Sequence, residues 1–128
     1  MRKISGVSVA QFSTLMGLEA LTAIAGAKYL VMPWVGEDFR GIAAVAAAIL
    51  FFYMLAILAF RLIQVWAPVP CGSIAANSKG ERRAFLYMLH YLLVFNPLIF
   101  NRAVPFPLLR VILRALGARM GENSYCAG

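Results

Sequence analysis

The chain of 128 residues is 62% hydrophobic and 13% charged, whereas soluble proteins average about 25% charged residues. This composition excludes an ordinary soluble domain and predicts one compact membrane unit. Twelve Lys and Arg against five Asp and Glu give a net charge of +7. Because the basic residues flank apolar segments, we expect anionic lipid headgroups as partners and no nucleic acid.

The first predicted element is a membrane span over residues 7–35, ending at a Pro-Trp pair. Arg2 and Lys3 precede it, as in a signal peptide. The apolar stretch is too long for a signal peptide, however, and Glu19 and Lys28 interrupt it. The pattern therefore predicts an uncleaved first span.

One face of this span is mildly polar and rich in small residues. Its members recur at steps of three or four, as one helix face requires: Ser8, Gln11, Leu15, Glu19, Thr22 and Gly26. Small residues are the usual contact surface between membrane helices. We therefore expect Glu19, Thr22 and Gly26 to face the second span or a partner chain.

Glu19 and Lys28 are the two ionisable residues of this span. At a rise of ~1.5 Å per residue they lie about 13 Å apart, on nearly opposite faces, so they cannot pair. Ionisable groups inside a membrane are costly and are candidates for function. The structural alternative is that Lys28 reaches one interface while Glu19 stays neutral or contacts another chain.

The second span is predicted over residues 41–66, because the run 41–60 contains no charged residue. Twenty helical residues cover the ~30 Å hydrocarbon core of a bilayer. Gly41, Ala44 and Ala48 recur at helical spacing and form a small-residue face for the first span. Residues 1–67 are thus predicted to form a transmembrane hairpin.

The distribution of charge predicts the orientation of the hairpin. Its short loop carries Glu37 and Asp38 against one base, Arg40, whereas Arg61 and the downstream bases lie at the opposite end. The positive-inside rule places both termini in the cytoplasm. Trp34 and Trp66 end the spans, where indole rings favour the headgroup layer.

Residues 68–83 are predicted to be a cytoplasmic connector, and residues 84–128 to lie at the membrane surface. Cys71 is in the connector and Cys126 is near the end of the chain. We expect both thiols to be reduced, because disulfides are rare on the cytoplasmic side.

Residues 84–100 are apolar and aromatic, and they contain His90 and the pair Asn96-Pro97. Proline disfavours helix at the residue before it. A third span would place the basic tail outside, so we expect a re-entrant or interfacial helix. His90, the only histidine, is expected to be a packed or interface residue, and a catalytic role is the alternative.

Residues 105–119 read as a basic amphipathic helix, with Pro107 in its first turn and Gly117 as its stop. Such a helix lies at a membrane surface with its apolar face towards the lipid. The alternative is a groove in a partner protein. The expected contacts with lipid headgroups are Arg82, Arg83, Arg110, Arg114 and Arg119.

The second half of the chain carries a recognisable set of short motifs. They are Gly72-Ser73, Arg82, the stretch 87–91, the phrase Phe95-Asn96-Pro97-Leu98, Leu109-Arg110 and the ending LGARMGENSYCAG. Together, over residues 70–128, they resemble the segment before the left-handed β-helix of membrane-associated bacterial acyltransferases of the hexapeptide-repeat type. The resemblance implies a bacterial inner-membrane location and acyl transfer from a coenzyme A or carrier-protein thioester to a hydroxyl or amine.

The same resemblance implies a catalytic histidine on a later β-helix rung, but the sequence ends at Gly128, where the first rung is expected. His90 does not match that position, so the resemblance assigns no catalytic, cofactor-binding or metal-binding role to any residue of this sequence. Whether these residues take part in an enzyme stays open.

The sequence therefore supports an all-α membrane protein with a two-helix transmembrane hairpin, a re-entrant or interfacial helix and a basic amphipathic helix. The predicted function is a small non-catalytic accessory subunit or anchor that packs against other membrane chains or its own copies. The alternative is a membrane-docking module of a hexapeptide-type acyltransferase. A transport element built on Glu19 and Lys28 is a third possibility, and it requires oligomerisation.

Overall fold

The computed structural model describes residues 6–69, 72, 74–75, 78–100, 104–119 and 121. Of these residues, 85% are helical and none lies in a β-strand. The predicted all-α class is confirmed.

Two long helical segments dominate the chain. Helix α1 spans Gly6–Gly26 and continues through a π-helical turn, Ala27–Val31, and a 3₁₀ turn, Met32–Trp34. A second 3₁₀ turn, Glu37–Phe39, leads into helix α2, Arg40–Trp66. The short loop folds the two segments back on each other, and both are long and apolar enough to cross a membrane. Their bounds lie close to the predicted spans 7–35 and 41–66.

Small side chains let α1 and α2 approach closely. Ala23 and Ala27 of α1 and its π turn are buried, as are Ala47 and Ala56 of α2. A methyl group added at Gly26 would lie 3.5 Å from the Phe51 ring. The hairpin therefore depends on small residues, as packing between apolar helices commonly does.

Helix α3, Lys79–His90, begins within the predicted connector 68–83, which is therefore shorter than expected. The cause is a cap at Ser78, whose hydroxyl accepts a hydrogen bond of 3.1 Å from the Glu81 backbone N–H. A serine followed three residues later by glutamate is the sequence pattern of such a cap. The prediction overlooked this signal.

Pro97 was predicted to disfavour helix at Asn96, but Asn96 is helical. A π-helical turn, Tyr91–Phe95, joins α3 to helix α4, Asn96–Phe100, and Pro97 is the second residue of α4. The other π turn also ends two residues before a proline, Pro33. A proline lacks the N–H of the usual helical hydrogen bond, and a widened turn just before it is a local way to accommodate that loss.

Helix α5, Phe106–Ala115, carries Pro107 in its first turn, as predicted. Its apolar face divides between two environments. Leu109 and Leu116 are buried and Ile112 packs against the core, whereas Leu108 is 50% exposed. Much of the face predicted to contact lipid or a partner protein instead contacts the chain itself.

The core lies where α1, α2 and α3 meet, and α5 covers it. Its buried apolar members come from α1, α2, the second π turn and the residue that ends α5: Phe12, Ala56, Phe60, Val94, Phe95 and Leu116. This arrangement fixes α3 and α5 against one end of the hairpin, near the carboxyl end of α2.

Candidate functional site

Glu19 occupies the middle of the first candidate span, on its buried face. The face follows helical spacing through Ser8, Phe12, Glu19, Ala23 and Ala27, all of which are buried. The residue Glu19 is only 6% exposed. Both of its carboxyl oxygens lack a hydrogen-bond partner among the described residues. A buried carboxyl without a partner is costly, and this makes Glu19 the strongest candidate for a functional group.

Glu19 lines a groove of about 220 Å³ between the two long helices. The remaining lining is apolar except for one hydroxyl: Leu18, Thr22, Leu55, Leu58, Ala59 and Leu62. Thr22 uses that hydroxyl to donate a 2.7 Å hydrogen bond to the Leu18 carbonyl. The groove is therefore an apolar surface with a single unsatisfied carboxyl beneath it.

The other predicted packing residues are spread around the hairpin. Gly26, Ala44 and Ala48 are half-buried, and Ala48 lines a second groove of about 420 Å³ on the opposite side. Thr22 and Gly41 are exposed, and an added methyl at Gly41 would have no atom within 4 Å. Of these predicted residues, only Glu19 and Thr22 meet in one groove.

Lys28 does not meet Glu19. It lies in the π turn after α1, is exposed, and places its amine 5.6 Å from the centroid of the Tyr29 ring. This distance is within the range of a cation–π interaction. The predicted separation of the two ionisable residues agrees with their different environments, one buried and one exposed.

His90 is fully buried at the junction of three helices. Its ring centroid lies 6.1 Å from that of Phe12, 5.7 Å from Phe60 and 5.7 Å from Phe95. Neither ring nitrogen has a partner in hydrogen-bonding geometry among the described residues. Burial lowers the pKa of His90. The nearby backbone of Ala56 favours the protonated ring and so offsets part of this decrease. The surroundings favour a neutral imidazole that packs as an aromatic ring.

The end of α5 is fixed to the end of α2. The Gln64 amide donates a 3.3 Å hydrogen bond to the Leu116 carbonyl. Gly117 follows with φ +104°, and a methyl group there would lie 2.5 Å from Nη1 of Arg61. The sequence analysis missed this contact, because the residues are far apart in the chain and the pattern of either helix alone does not reveal it.

The predicted headgroup-binding arginines are not equivalent. Arg82, Arg83, Arg114 and Arg119 are exposed. Arg110 is half-buried and donates a 2.7 Å hydrogen bond to the Gly121 carbonyl, so its guanidinium is directed towards the chain's own backbone.

Arg83 also influences Tyr87. Burial raises the pKa of the Tyr87 phenol, and the positive charge of Arg83 offsets part of that increase. Arg83 therefore lies close to the aromatic core as well as at the surface.

Several sequence predictions lie outside the described residues. They concern Cys71, Cys126, the N-terminal Arg2 and Lys3, and most of the ending that follows Arg119.

No protein-family model matches the chain, and neither curated proteins nor solved structures show a significant match. Its function is therefore inferred from its own geometry and charge.

Proposed function

We propose that this chain is an integral-membrane, non-catalytic subunit or anchor that packs against other membrane protein chains. The observation that carries the proposal is the exposure of both long helices. Of the apolar 18-residue stretch in each segment, only 17% is buried inside the chain in the first segment and 11% in the second. A core helix of a soluble protein would be mostly buried, whereas a span needs lipid or a partner around it.

The outward side chains support the same proposal. Large apolar residues along both candidate spans are exposed, including Leu21 at 68% and Ile42 at 74%. A contiguous apolar surface of this kind is unfavourable in water and typical of a membrane or protein contact. Lipid covers most of it in the proposed arrangement, and partner helices cover the grooves.

The positions of the charges support a cytoplasmic basic end. Arg61 lies near the carboxyl end of α2, and α5 is fixed beside it through Gln64 and Leu116. Glu37 and Asp38 lie at the loop end of the hairpin. With the bases inside, exposed arginines such as Arg114 reach anionic headgroups of the inner leaflet.

In this arrangement α3 and α4 enter and leave the membrane on the cytoplasmic side. Tyr87 and His90 of α3 contact Phe60, six residues before the end of α2. Their contacts thus include the half of the hairpin near the basic end, as a re-entrant or interfacial helix requires.

The alternative function is a membrane-docking module of an acyltransferase acting at the cytoplasmic leaflet. The observation that favours it is the position of the carboxyl end of α5. Because Gln64 holds Leu116, the chain leaves α5 beside the end of the second candidate span. A domain following this point would be held close to the membrane surface.

Purification of the tagged chain from its native membrane in a mild detergent tests the main proposal. We expect it to resist alkaline extraction and to copurify with other membrane proteins at a fixed stoichiometry. Release by alkali, or purification as a lone monomer, would contradict the proposal. Continuation of the natural reading frame beyond Gly128 into hexapeptide repeats would favour the alternative.

A further inference from the structure

The Glu19 groove differs from the rest of the hairpin surface in one respect. Many exposed residues of the two candidate spans are large and apolar, but here a carboxyl lies under apolar walls in the middle of a candidate span. Only 6% of the surface of Glu19 is exposed, and both of its carboxyl oxygens lack a hydrogen-bond partner among the residues that the structure describes. Such a group has a strong requirement for a donor that reaches it from outside the groove.

We propose that the groove binds a transmembrane helix of another protein that carries a lysine or arginine near the middle of its span. This inference rests on the proposed function, and it specifies the chemistry of the partner. An apolar helix face fits the leucine walls formed by Leu18, Leu55 and Leu58. Its basic side chain supplies both the opposite charge and the hydrogen-bond donors that the Glu19 carboxylate lacks.

A second copy of this chain fits the groove less well. Copies inserted with the same orientation lie parallel, so residues meet only at similar depths. Lys28, nine positions from Glu19, is about 13 Å away along the helix axis. Arg61 lies nearer in depth, but its Nη1 approaches Gln64 Oε1 at 3.4 Å and lies beside Gly117 at the α5 cap.

The two Glu19 oxygens lie too deep for a water molecule to reach. Binding therefore requires the Glu19 side chain to rotate towards the groove, or the exposed Leu58 and Leu62 side chains to move apart. Both changes involve flexible side chains and leave the helices in place. The basic partner replaces a costly unpaired carboxyl by an ion pair, which makes the association selective for charge.

Three synthetic apolar helices test this proposal. Each is a 24-residue Leu/Ala peptide, with Lys, Gln or Leu at its centre, mixed in lipid vesicles with the full-length chain. Energy transfer between labelled chain and labelled peptide measures association. We expect the Lys peptide to bind about three- to thirtyfold more tightly than the Leu peptide, as polar contacts between membrane helices allow.

The variant Glu19→Gln should remove most of the Lys preference, and Glu19→Leu should remove all of it. The matched control Glu37→Gln changes a carboxyl in the loop, 3.8 Å from Arg40, and should leave the preference intact. Thermal unfolding of the isolated chain checks the fold. Because Glu19 has no described partner to lose, neither of its variants should be less stable than the wild type.

The outcomes separate the two proposals. Equal binding of all three peptides would show that the hairpin packs with helices while Glu19 selects none, which overturns this inference alone. Self-association of the chain that Glu19→Gln or Arg61→Ala abolishes would identify a second copy as the occupant, which also overturns it. Absence of association with every peptide, together with a lone monomer in native membranes, would overturn the proposed function itself.

Discussion

At the scale of single residues, His90 shows how a polar side chain is tolerated in this core. It is fully buried, its nitrogens lack a described hydrogen-bond partner, and aromatic rings of three other segments surround it. A neutral imidazole fits these surroundings as a small aromatic ring, whereas an imidazolium would lose its hydration without gaining a counter-charge. The lowered pKa of His90 follows from that loss.

We predict that the stability of the chain falls as the pH decreases below about 6.5, the ordinary histidine pKa. The unfolded chain takes up a proton near that pH, while the folded chain resists protonation. The free energy of unfolding should therefore be highest above pH 7 and should fall by up to about 1.4 kcal/mol per pH unit below 6.5. Reversible unfolding in detergent micelles between pH 5 and 8 measures it.

The control for this prediction is His90→Phe, which keeps an aromatic ring and removes the titrating group. His90 is the only histidine, so the difference between the two pH profiles reports this residue and cancels the contributions of the carboxyls. Identical profiles for the wild type and the variant would mean that His90 gains no proton on unfolding.

At the scale of helices, the sequence predicted the two long segments well. Their long apolar runs and the prolines, glycine and tryptophans at their ends determine where each begins and stops. The π turns were not predicted, because a five-residue widening leaves hydrophobic periodicity almost unchanged. Pro33 and Pro97 are the only local signals for them. The start of α3 was predictable from Ser78 and Glu81, and was missed.

The candidate site was predictable only in part, because helical periodicity describes one segment at a time. Helical spacing places Glu19 on a shared face with Ser8 and Gly26, and that inference needs one helix alone. The surroundings of His90 depend on Phe12, Phe60 and Phe95, which come from different helical segments. Contacts of this kind arise from tertiary packing, which the periodicity of a single segment does not contain.

The contact between α5 and α2 leads to a prediction at this scale. Helix α5 ends in a Schellman motif, with Gly117 N–H bonded to the Arg114 carbonyl and Ala118 N–H to the Leu113 carbonyl, both at 3.0 Å. Gly117→Ala imposes strain at φ +104° and places a methyl group 2.5 Å from Arg61 Nη1. We expect it to destabilise the docked helix by about 1–2 kcal/mol.

Thermal unfolding and limited proteolysis near residue 117 measure this effect. Gly17→Ala is the matched control, because Gly17 lies inside α1 with no atom within 4 Å of an added methyl group. It should be neutral or stabilising by up to about 1 kcal/mol. The double variant Gly117→Ala with Arg61→Ala should lose the part of the destabilisation that comes from the contact with Arg61 and keep the part that comes from backbone strain. Unchanged stability in Gly117→Ala would mean that the α5 cap contributes nothing to docking.

At the scale of the whole molecule, charge and packing are arranged along the same direction. The acidic residues Glu37 and Asp38 lie at the loop end of the hairpin, and Arg61 lies near the other end. Gln64 fixes the end of α5 at that second end, beside Arg61. The aromatic core that holds α3 lies nearby, around Phe60. The peripheral helices and most of the described basic residues therefore occupy one side of the proposed membrane, whereas Lys28 and Arg40 lie at the loop end.

This asymmetry predicts the orientation, and cysteine labelling in intact cells tests it. In a background where Cys71 and Cys126 are changed to serine, Glu37→Cys should react with a membrane-impermeant thiol reagent added outside. Arg82→Cys, at an exposed position of α3, should react only after permeabilisation. The opposite pattern would place the bases outside, and headgroup binding at the inner leaflet would then be excluded. Reaction at both positions in intact cells would place Glu37 and Arg82 on the same side, so that α2 would not cross the membrane and the transmembrane hairpin would be contradicted.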